Sequence, residues 1–364
     1  MPGTILPETP RHVPPPPTKE NLDYADLAII DLEKYKTPEG RAELVADVRN
    51  ALATVGFFYV INHGYTPEQT RRIFDIADIP FTQVSDEEKR KYVAKMKETG
   101  SYQGYKPRQY WHIDAGVRDQ LEHYNIHRDV TKKVHPEALR PFLPEIDAFA
   151  RHNHFNILLP LLRLLATGLE LPEDYFVNMH GFDSVSETWL RFMKYYPRST
   201  EDEEKTKNVW LKGHTDFGSL TLLWSQPVSA LQILAPDGTW KWIKHIDNAL
   251  VVNTGEAIEF LSGRYYKGTI HRVVQPPADQ RNLTRLGVFY FALTDDDVKL
   301  IPLEQSPVLR RVGVTRRCDD AVAPTMGEWR KARVAAYGQT TLKEGKQKGV
   351  QEEIINGVVV RHYN

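Results

Sequence analysis

A histidine and an aspartate one residue apart recur four times in this chain, as His112-Ile113-Asp114, His127-Arg128-Asp129, His214-Thr215-Asp216 and His245-Ile246-Asp247. Imidazole nitrogen and carboxylate oxygen both ligate first-row metals, so each triplet could offer two ligands, and the spacing alone does not choose among them. The third triplet lies at the mouth of an alternating, strand-like run, "GHTDFGSLTLL" (213–223). Residues i and i+2 of a strand share a face, so His214 and Asp216 can aim the same way with Thr215 turned aside. A further histidine, His271 in "GTIHRVVQPP", stands 55 residues after Asp216 on another strand-like run. Two histidines and one carboxylate on one side of a metal leave three adjacent positions open, which is the arrangement of non-haem Fe(II) oxygen chemistry. Zinc favours a closed tetrahedron or a single open position. The ordinary reading of His112 and His127 is a loop residue, and of His245 a polar turn. His152 and His154 fall in a helical pattern, where a two-residue offset points the rings apart.

One cation belongs with these groups. "TRLGVFYF" opens a very apolar strand with Arg285, a residue that is unfavourable to bury without an anionic partner. Either it sits at the strand edge and reaches solvent, or its guanidinium grips a carboxylate through two parallel hydrogen bonds.

These side chains need a scaffold, and the texture of the chain changes near Thr188. Before it, "GRAELVADVRNALATVG", about 67 to 98 and about 137 to 170 carry apolar residues at three- and four-residue intervals, and the half reads as mostly helical. After it, "TWLRFMKYYP", "SLTLLWS", "LQILAP", "TWKWIKHI", "ALVVNTG", "TIHRVVQPP" and "TRLGVFYFAL" are short apolar or alternating runs divided by Gly, Pro, Asp or Asn, the pattern of a sandwich, barrel or jelly roll. A more helical tail follows from about Met326 to Lys348. The expected organisation is a proline-rich arm (1–25), a mostly helical region (26–187), a β core (188–300) and a C-terminal extension (301–364) able to fold over the site as a lid.

Hydrophobic residues at 41% and charged residues at 26% describe a packed globular chain of 364 residues with one core and attached helical pieces. Lys plus Arg number 47 against 48 Asp plus Glu, a formal charge of −1 that supplies no basic field for nucleic acid or an anionic membrane. The single Cys318 excludes an internal disulfide framework and suits a reducing compartment, so a cytoplasmic location is expected. The N-terminus lacks the apolar segment of a signal peptide, and "FNILLPLLRLLATGLELP" is interrupted by Pro160 and Arg163, which suits a buried helix better than a membrane span.

"GFFYVINHG" (56–64), "LRFMKYYP" (190–197), "GHTDFGSLTLL", "VVNTGEAIEFLSGRYYKGTIHRVVQPP" (251–277) and "RLGVFYF" (285–291), taken in order, resemble the 2-oxoglutarate and Fe(II)-dependent dioxygenases of the isopenicillin N synthase-like superfamily. The resemblance runs from about residue 26 to 295. It implies an α+β chain with a mainly β core, a distorted double-stranded β-helix or jelly roll flanked by helices from the N-terminal half and the tail. It also selects His214, Asp216 and His271 as the Fe(II) ligands over the other triplets. Arg285 matches the arginine that holds the distal carboxylate of 2-oxoglutarate and is preferred over Arg281, but Gly287 stands where the family carries serine. Tyr196 matches a tyrosine that hydrogen-bonds 2-oxoglutarate, and Lys194 stands where plant members commonly have asparagine. Phe217, Tyr102, Tyr105, Trp111 and Lys194 are the substrate-pocket candidates. The implied cofactors are Fe(II), 2-oxoglutarate and O2, with ascorbate as an auxiliary reductant. The implied reaction hydroxylates, desaturates or rearranges a small organic molecule and releases succinate and CO2. The "HRVVQPP" form and the long C-terminal extension look most like fungal members, which hydroxylate, desaturate or rearrange small natural products or nucleobases, and a role in natural-product metabolism is the favoured expectation. A small-molecule substrate is expected, with no nucleic acid, membrane or obligatory protein partner. The competing readings are an isopenicillin N synthase-type oxidase that does not use 2-oxoglutarate, and a non-catalytic jelly-roll binding protein, which would be expected to have lost a ligand.

Overall fold

The strands that carry the chemistry belong to two facing sheets, and the first half of the chain wraps one of them. The computed structural model describes residues 6–340, 342–345 and 349–363; the first five residues of the arm lie outside these. In chain order the first half gives β1 (Ile29–Asp31), α1 (Pro38–Thr54), β2 (Phe57–Ile61), α2 (Pro67–Thr82), α3 (Asp86–Lys91), α4 (Met96–Thr99), β3 (Gly104–Lys106), β4 (His112–Asp114), β5 (Val117–Arg118), β6 (Leu121–His127), α5 (Leu143–Arg151) and α6 (Leu159–Gly168). The second half gives β7 (Trp189–Tyr195), α7 (Thr200–Thr206), β8 (Val209–His214), β9 (Leu220–Trp224), β10 (Leu231–Leu234), β11 (Trp240–Trp242), β12 (Leu250–Thr254), α8 (Glu256–Leu261), β13 (His271–Val274), β14 (Arg285–Ala292), α9 (Pro307–Val312), α10 (Met326–Ala336), β15 (Lys343–Glu344), β16 (Val350–Ile355) and β17 (Val358–Tyr363).

Local sequence explains the helix starts. Thr37 accepts a hydrogen bond from the Gly40 amide ahead of Pro38, and Thr66 with Gln69 forms a reciprocal capping box ahead of Pro67. The long helical pattern at 137–170 is a short 3-10 turn, α5, a π-helical segment (His152–Leu158) and α6. Among the described residues no helix is long and apolar enough to cross a membrane.

One sheet runs β1-β2-β12-β9-β14-β7-β6-β3 and the other β11-β10-β13-β8-β17-β16-β15. The period-2 alternation of the first sheet sorts its side chains into two cores. Leu190, Phe192, Leu222, Trp224, Val252, Val288 and Tyr290 face α1, α2, α5 and α6 in the largest cluster. Trp189, Met193, Tyr195, Leu223, Val251, Phe289 and Phe291 face the space between the sheets. The two sheets form the expected jelly roll. The helical half is not a separate layer, because β1, β2, β3 and β6 extend the same sheet as β7 and β14.

The helical tail expected over about Met326 to Lys348 forms over Met326–Ala336; beyond it Lys343–Glu344 is the short strand β15, and Lys348 lies outside the described residues. The helix ends at Ala336, and the next long element is the β16–β17 hairpin, which turns at Asn356-Gly357 with φ of 48° and 76°. Asn-Gly between two alternating runs is a type I′ hairpin signal that outweighs the helical composition before it. β17 joins β8 through the pairing of Tyr363 with Gly213, where a Cβ on Gly213 would lie 2.7 Å from that of Tyr363.

Candidate metal centre and barrel cavity

His214 ends β8 and His271 begins β13, and the two are directly opposed in the antiparallel ladder. Their ring centroids lie 4.5 Å apart. The strand stops at His214, so Asp216 reaches the same place from the turn that follows rather than from the strand itself. Its Oδ1 is 3.9 Å from His214 Nε2 and 3.7 Å from His271 Nε2, and one donor atom from each residue falls within a 4.8 Å cluster.

The other polar atoms of the three groups are already committed. His214 Nδ1 is 2.8 Å from the Lys212 carbonyl and His271 Nδ1 is 3.1 Å from that of Thr269, so each Nδ1–H donates and each Nε2 keeps its lone pair for a metal. Asp216 Oδ2 accepts from Thr221 Oγ1 at 2.6 Å and from Asn253 Nδ2 at 2.9 Å, which turns Oδ1 toward the histidines. Burial, with His271 beside it, lowers the His214 pKa to about 3, so the ring is neutral near pH 7. Burial pushes the Asp216 carboxyl up, but the two imidazoles and the two hydrogen bonds outweigh it and hold the group low. Two imidazoles and a carboxylate brought together in this way fit Fe(II).

The centre opens into a cavity of 60 Å3 walled by Tyr102, Trp111, Trp189, Phe217, Phe291 and Tyr337, with the guanidinium groups of Arg191 and Arg333 also at its surface. Arg333 comes from α10 and is tied to the buried Glu256, whose backbone amide donates to the Asp216 carbonyl and whose Oε1 accepts from Thr215 at 2.6 Å. The tail thus reaches the metal turn.

Arg285 lies at the start of β14, 3% exposed, with Nε unpartnered and its Cζ 5.5 Å from the Tyr195 ring. Burial lowers its pKa, with Tyr195 acting in the other direction. A buried guanidinium without a carboxylate suits the distal end of a dicarboxylate. Arg281 is exposed.

Tyr196 and Lys194 do not share this face. Tyr196 donates to Glu122 at 2.5 Å, and Lys194 pairs with Asp78 of α2 at 2.7 Å. Strand parity puts Tyr195 opposite Arg285 instead. A Cβ at Gly287 would lie 2.6 Å from the Phe289 ring, so the volume of the missing serine side chain is filled by Phe289. Of the pocket candidates, Tyr102, Trp111 and Phe217 come together at the cavity. Tyr105 does not: its hydroxyl donates to the Pro80 carbonyl and its ring packs on Tyr124. The rival triplets stand apart, with His112 exposed, His127 Nε2 3.1 Å from the Ser186 carbonyl and His245 Nε2 2.8 Å from its own Asp247. Sequence reading missed Trp189, Arg191, Phe291 and Tyr337. The first three follow from the parity of β7 and β14, since they share a face with Tyr195 and Arg285.

Comparison with known proteins agrees with this geometry. Residues 27–145 match the N-terminal region of non-haem dioxygenases in morphine synthesis, and residues 189–293 match the 2OG-Fe(II) oxygenase superfamily. The jasmonate-induced oxygenase 3 of Arabidopsis thaliana is 27% identical over 80% of this chain and 78% of its own. A homoarginine-6-hydroxylase of Glycine max is 27% identical over 78% and 89%. A full-length Neurospora crassa protein solved with α-ketoglutarate and thymine has the same fold, with a TM-score of 0.73 at 22% identity over 87% of this chain and 98% of that one. The chain belongs to the 2OG-Fe(II) oxygenase superfamily, whose members are iron-dependent oxidoreductases that use 2-oxoglutarate and O2 to oxidise small molecules.

Proposed function

We propose that His214, Asp216 and His271 hold Fe(II), that Arg285 with Tyr195 beside it receives the distal carboxylate of 2-oxoglutarate, and that the aromatic cavity takes a small natural-product-type molecule. When bound, iron, 2-oxoglutarate and O2 supply the two-electron oxidation of a substrate carbon, with succinate and CO2 released. The chain's own residues do the rest. The carbonyls of Lys212 and Thr269 fix the histidine tautomers, Thr221 and Asn253 aim the carboxylate, and the rings of Tyr102, Trp111, Trp189, Phe217, Phe291 and Tyr337 exclude water around the reacting carbon.

The observation that carries this reading is the cross-strand pair of imidazoles meeting Asp216 in the same jelly roll as a buried Arg285 that has no carboxylate partner. Gly287 is what keeps a 2-oxoglutarate-independent oxidase as the second reading, and the charge of Arg285 weighs against it. The test is anaerobic addition of Fe(II) and 2-oxoglutarate. A weak visible metal-to-ligand band is expected in the wild type and absent in His214→Ala, followed by substrate-coupled succinate release in a mass-spectrometric screen of small aromatic, terpenoid and polyketide compounds. A wild-type chain that binds neither iron nor 2-oxoglutarate rejects the proposal.

A further inference from the structure

The cavity contains a positive charge that the metal and its co-substrate leave unmatched. Arg191 of β7 is 7% exposed and lines the cavity. Its Nε donates to Asn125 Oδ1 at 2.7 Å, and Asn125 is itself fixed by donating to the Tyr102 carbonyl at 2.8 Å and by His123 Nδ1 at 2.7 Å. This holds the guanidinium through Nε, and on its outer, free edge Nη2 is buried without a partner. Three rings surround the group, with its Cζ 4.7 Å from Phe291, 5.0 Å from Tyr102 and 5.7 Å from Trp189. Ring quadrupoles soften the desolvation of a cation but do not neutralise it.

Other cations in and around the cavity have their counter-ions. Arg333 pairs with Glu256 at 3.2 Å, and Lys106 pairs with Asp119. On the reading given above, the charges of Fe(II) and Arg285 are balanced by Asp216 and the two carboxylates of 2-oxoglutarate. Among the described arginines and lysines that line the cavity, Arg191 is the one left without a carboxylate, and a buried, uncompensated guanidinium is strongly unfavourable unless an anion arrives to pair with it. The space beside it holds about four to six water molecules' worth of volume, since its 60 Å3 compares with about 10–15 Å3 per water. Its walls are flat: Tyr102 and Phe217 are stacked at 29°, and Trp189 and Phe291 at 19°.

We propose that Arg191 anchors a substrate carboxylate and that the substrate is a small planar acid, a single conjugated or aromatic ring bearing one carboxylate, lying against the aromatic wall of the cavity with its acid group on the free edge of the guanidinium. This rests on the iron and 2-oxoglutarate reading and names the substrate class of that site. It assigns two buried arginines that have no carboxylate partner to two different carboxylates, Arg285 to the co-substrate and Arg191 to the substrate. A bidentate pair in so dry a site discriminates strongly against a neutral isostere, because an amide in the same place would leave the cation unpaired.

The test compares benzoate with benzamide on the full chain loaded anaerobically with Fe(II) and 2-oxoglutarate, reading quenching of the cavity tryptophans and the shift of the visible band. The wild type should bind benzoate at least tenfold tighter than benzamide. Arg191→Gln should lose at least tenfold in benzoate affinity, less than twofold in benzamide affinity and less than twofold in 2-oxoglutarate affinity, and Arg191→Lys should recover part of the benzoate preference. Equal losses for both probes, or no benzoate preference in the wild type, overturn the assignment. So does a fall in 2-oxoglutarate affinity to match the fall in benzoate affinity, which would make Arg191 a co-substrate residue. If Arg191→Gln does not fold, the wild-type preference and Arg191→Lys decide. Absence of the Fe(II)·2-oxoglutarate band in the wild type would instead be a failure of the underlying reading, while an intact band without benzoate preference rejects Arg191 alone.

Discussion

Replacing Arg285 by leucine should make the ligand-free protein more stable and the 2-oxoglutarate complex much weaker, and both effects can be sized from its surroundings. The residue is 3% exposed, its Nε has no partner, and it faces Tyr195 without a carboxylate. An apolar side chain of similar volume, though shorter, removes that desolvation and gains about 2 kcal/mol, within the range found when buried charges are replaced by well-packed hydrophobic groups. At roughly 2.1 cal/mol/K of unfolding entropy per residue, a chain of 364 residues changes its midpoint by about 1.3 °C per kcal/mol, so Tm should rise by about 2–3 °C. Loss of a charge-assisted, bidentate contact removes about 3 kcal/mol of binding, roughly a hundredfold in Kd. A hundredfold excess of 2-oxoglutarate over its wild-type Kd adds about 2.7 kcal/mol to wild-type stability, and the same concentration should add little to the variant. Calorimetry of the metal-free protein and titration of the visible band measure the two quantities. A lower Tm in the ligand-free variant, or a 2-oxoglutarate affinity within threefold of wild type, refutes the assignment. Arg281→Leu, at an exposed position, should leave both unchanged.

Asn253→Ala, which removes one of the two hydrogen bonds that hold Asp216 Oδ2 and leaves that of Thr221, should weaken iron binding by roughly 10–100-fold in equilibrium dialysis with far-UV circular dichroism unchanged. Gly287→Ser should destabilise the protein by about 1–3 kcal/mol in denaturant titration because its Cβ meets the Phe289 ring at 2.6 Å, and adding Phe289→Ala should remove most of that loss. Burial lowers the pKa of His154 to about 3 and of His180 to about 4. Below about pH 6.5 the unfolded chain therefore binds protons that the folded chain refuses, and stability should fall as pH drops from 6.5 toward 4, by about 1.4 kcal/mol per unit for each ring; a flat urea midpoint over that window contradicts the buried neutral assignment.

The strands of the core were legible because turns and alternation mark them, whereas the H-x-D spacing left four triplets open and it was the ordered motifs of the family resemblance that singled out His214, Asp216 and His271. Phase was harder. "MKYYP" contains two adjacent tyrosines, and only the pairing of Arg285 with Tyr195 shows which of them shares a face with the arginine, so Tyr196 and Lys194 were placed on the wrong side. Tyr105 and Trp111 sit in one aromatic-rich stretch, but β3 turns Tyr105 toward α2 while Trp111 reaches the cavity. Propensity cannot see such a division, because tertiary packing makes it. The β16–β17 hairpin was legible in Asn356-Gly357 and was overlooked because the Lys-rich segment before it reads as helix. Nothing local announces Glu256 either: its role comes from Arg333, 77 residues later, folding back onto the turn that carries Asp216.

The opposed placement of His214 and His271 makes the iron a reporter of strand registration. β8 and β13 pair through bulges immediately beyond that point, and a slip of either strand by one residue would send its imidazole to the opposite face, away from the other histidine. A misaligned barrel would remain compact and apolar inside yet be unable to capture the metal. Metal uptake therefore separates correctly threaded molecules from near-native ones that secondary-structure content alone would count as folded.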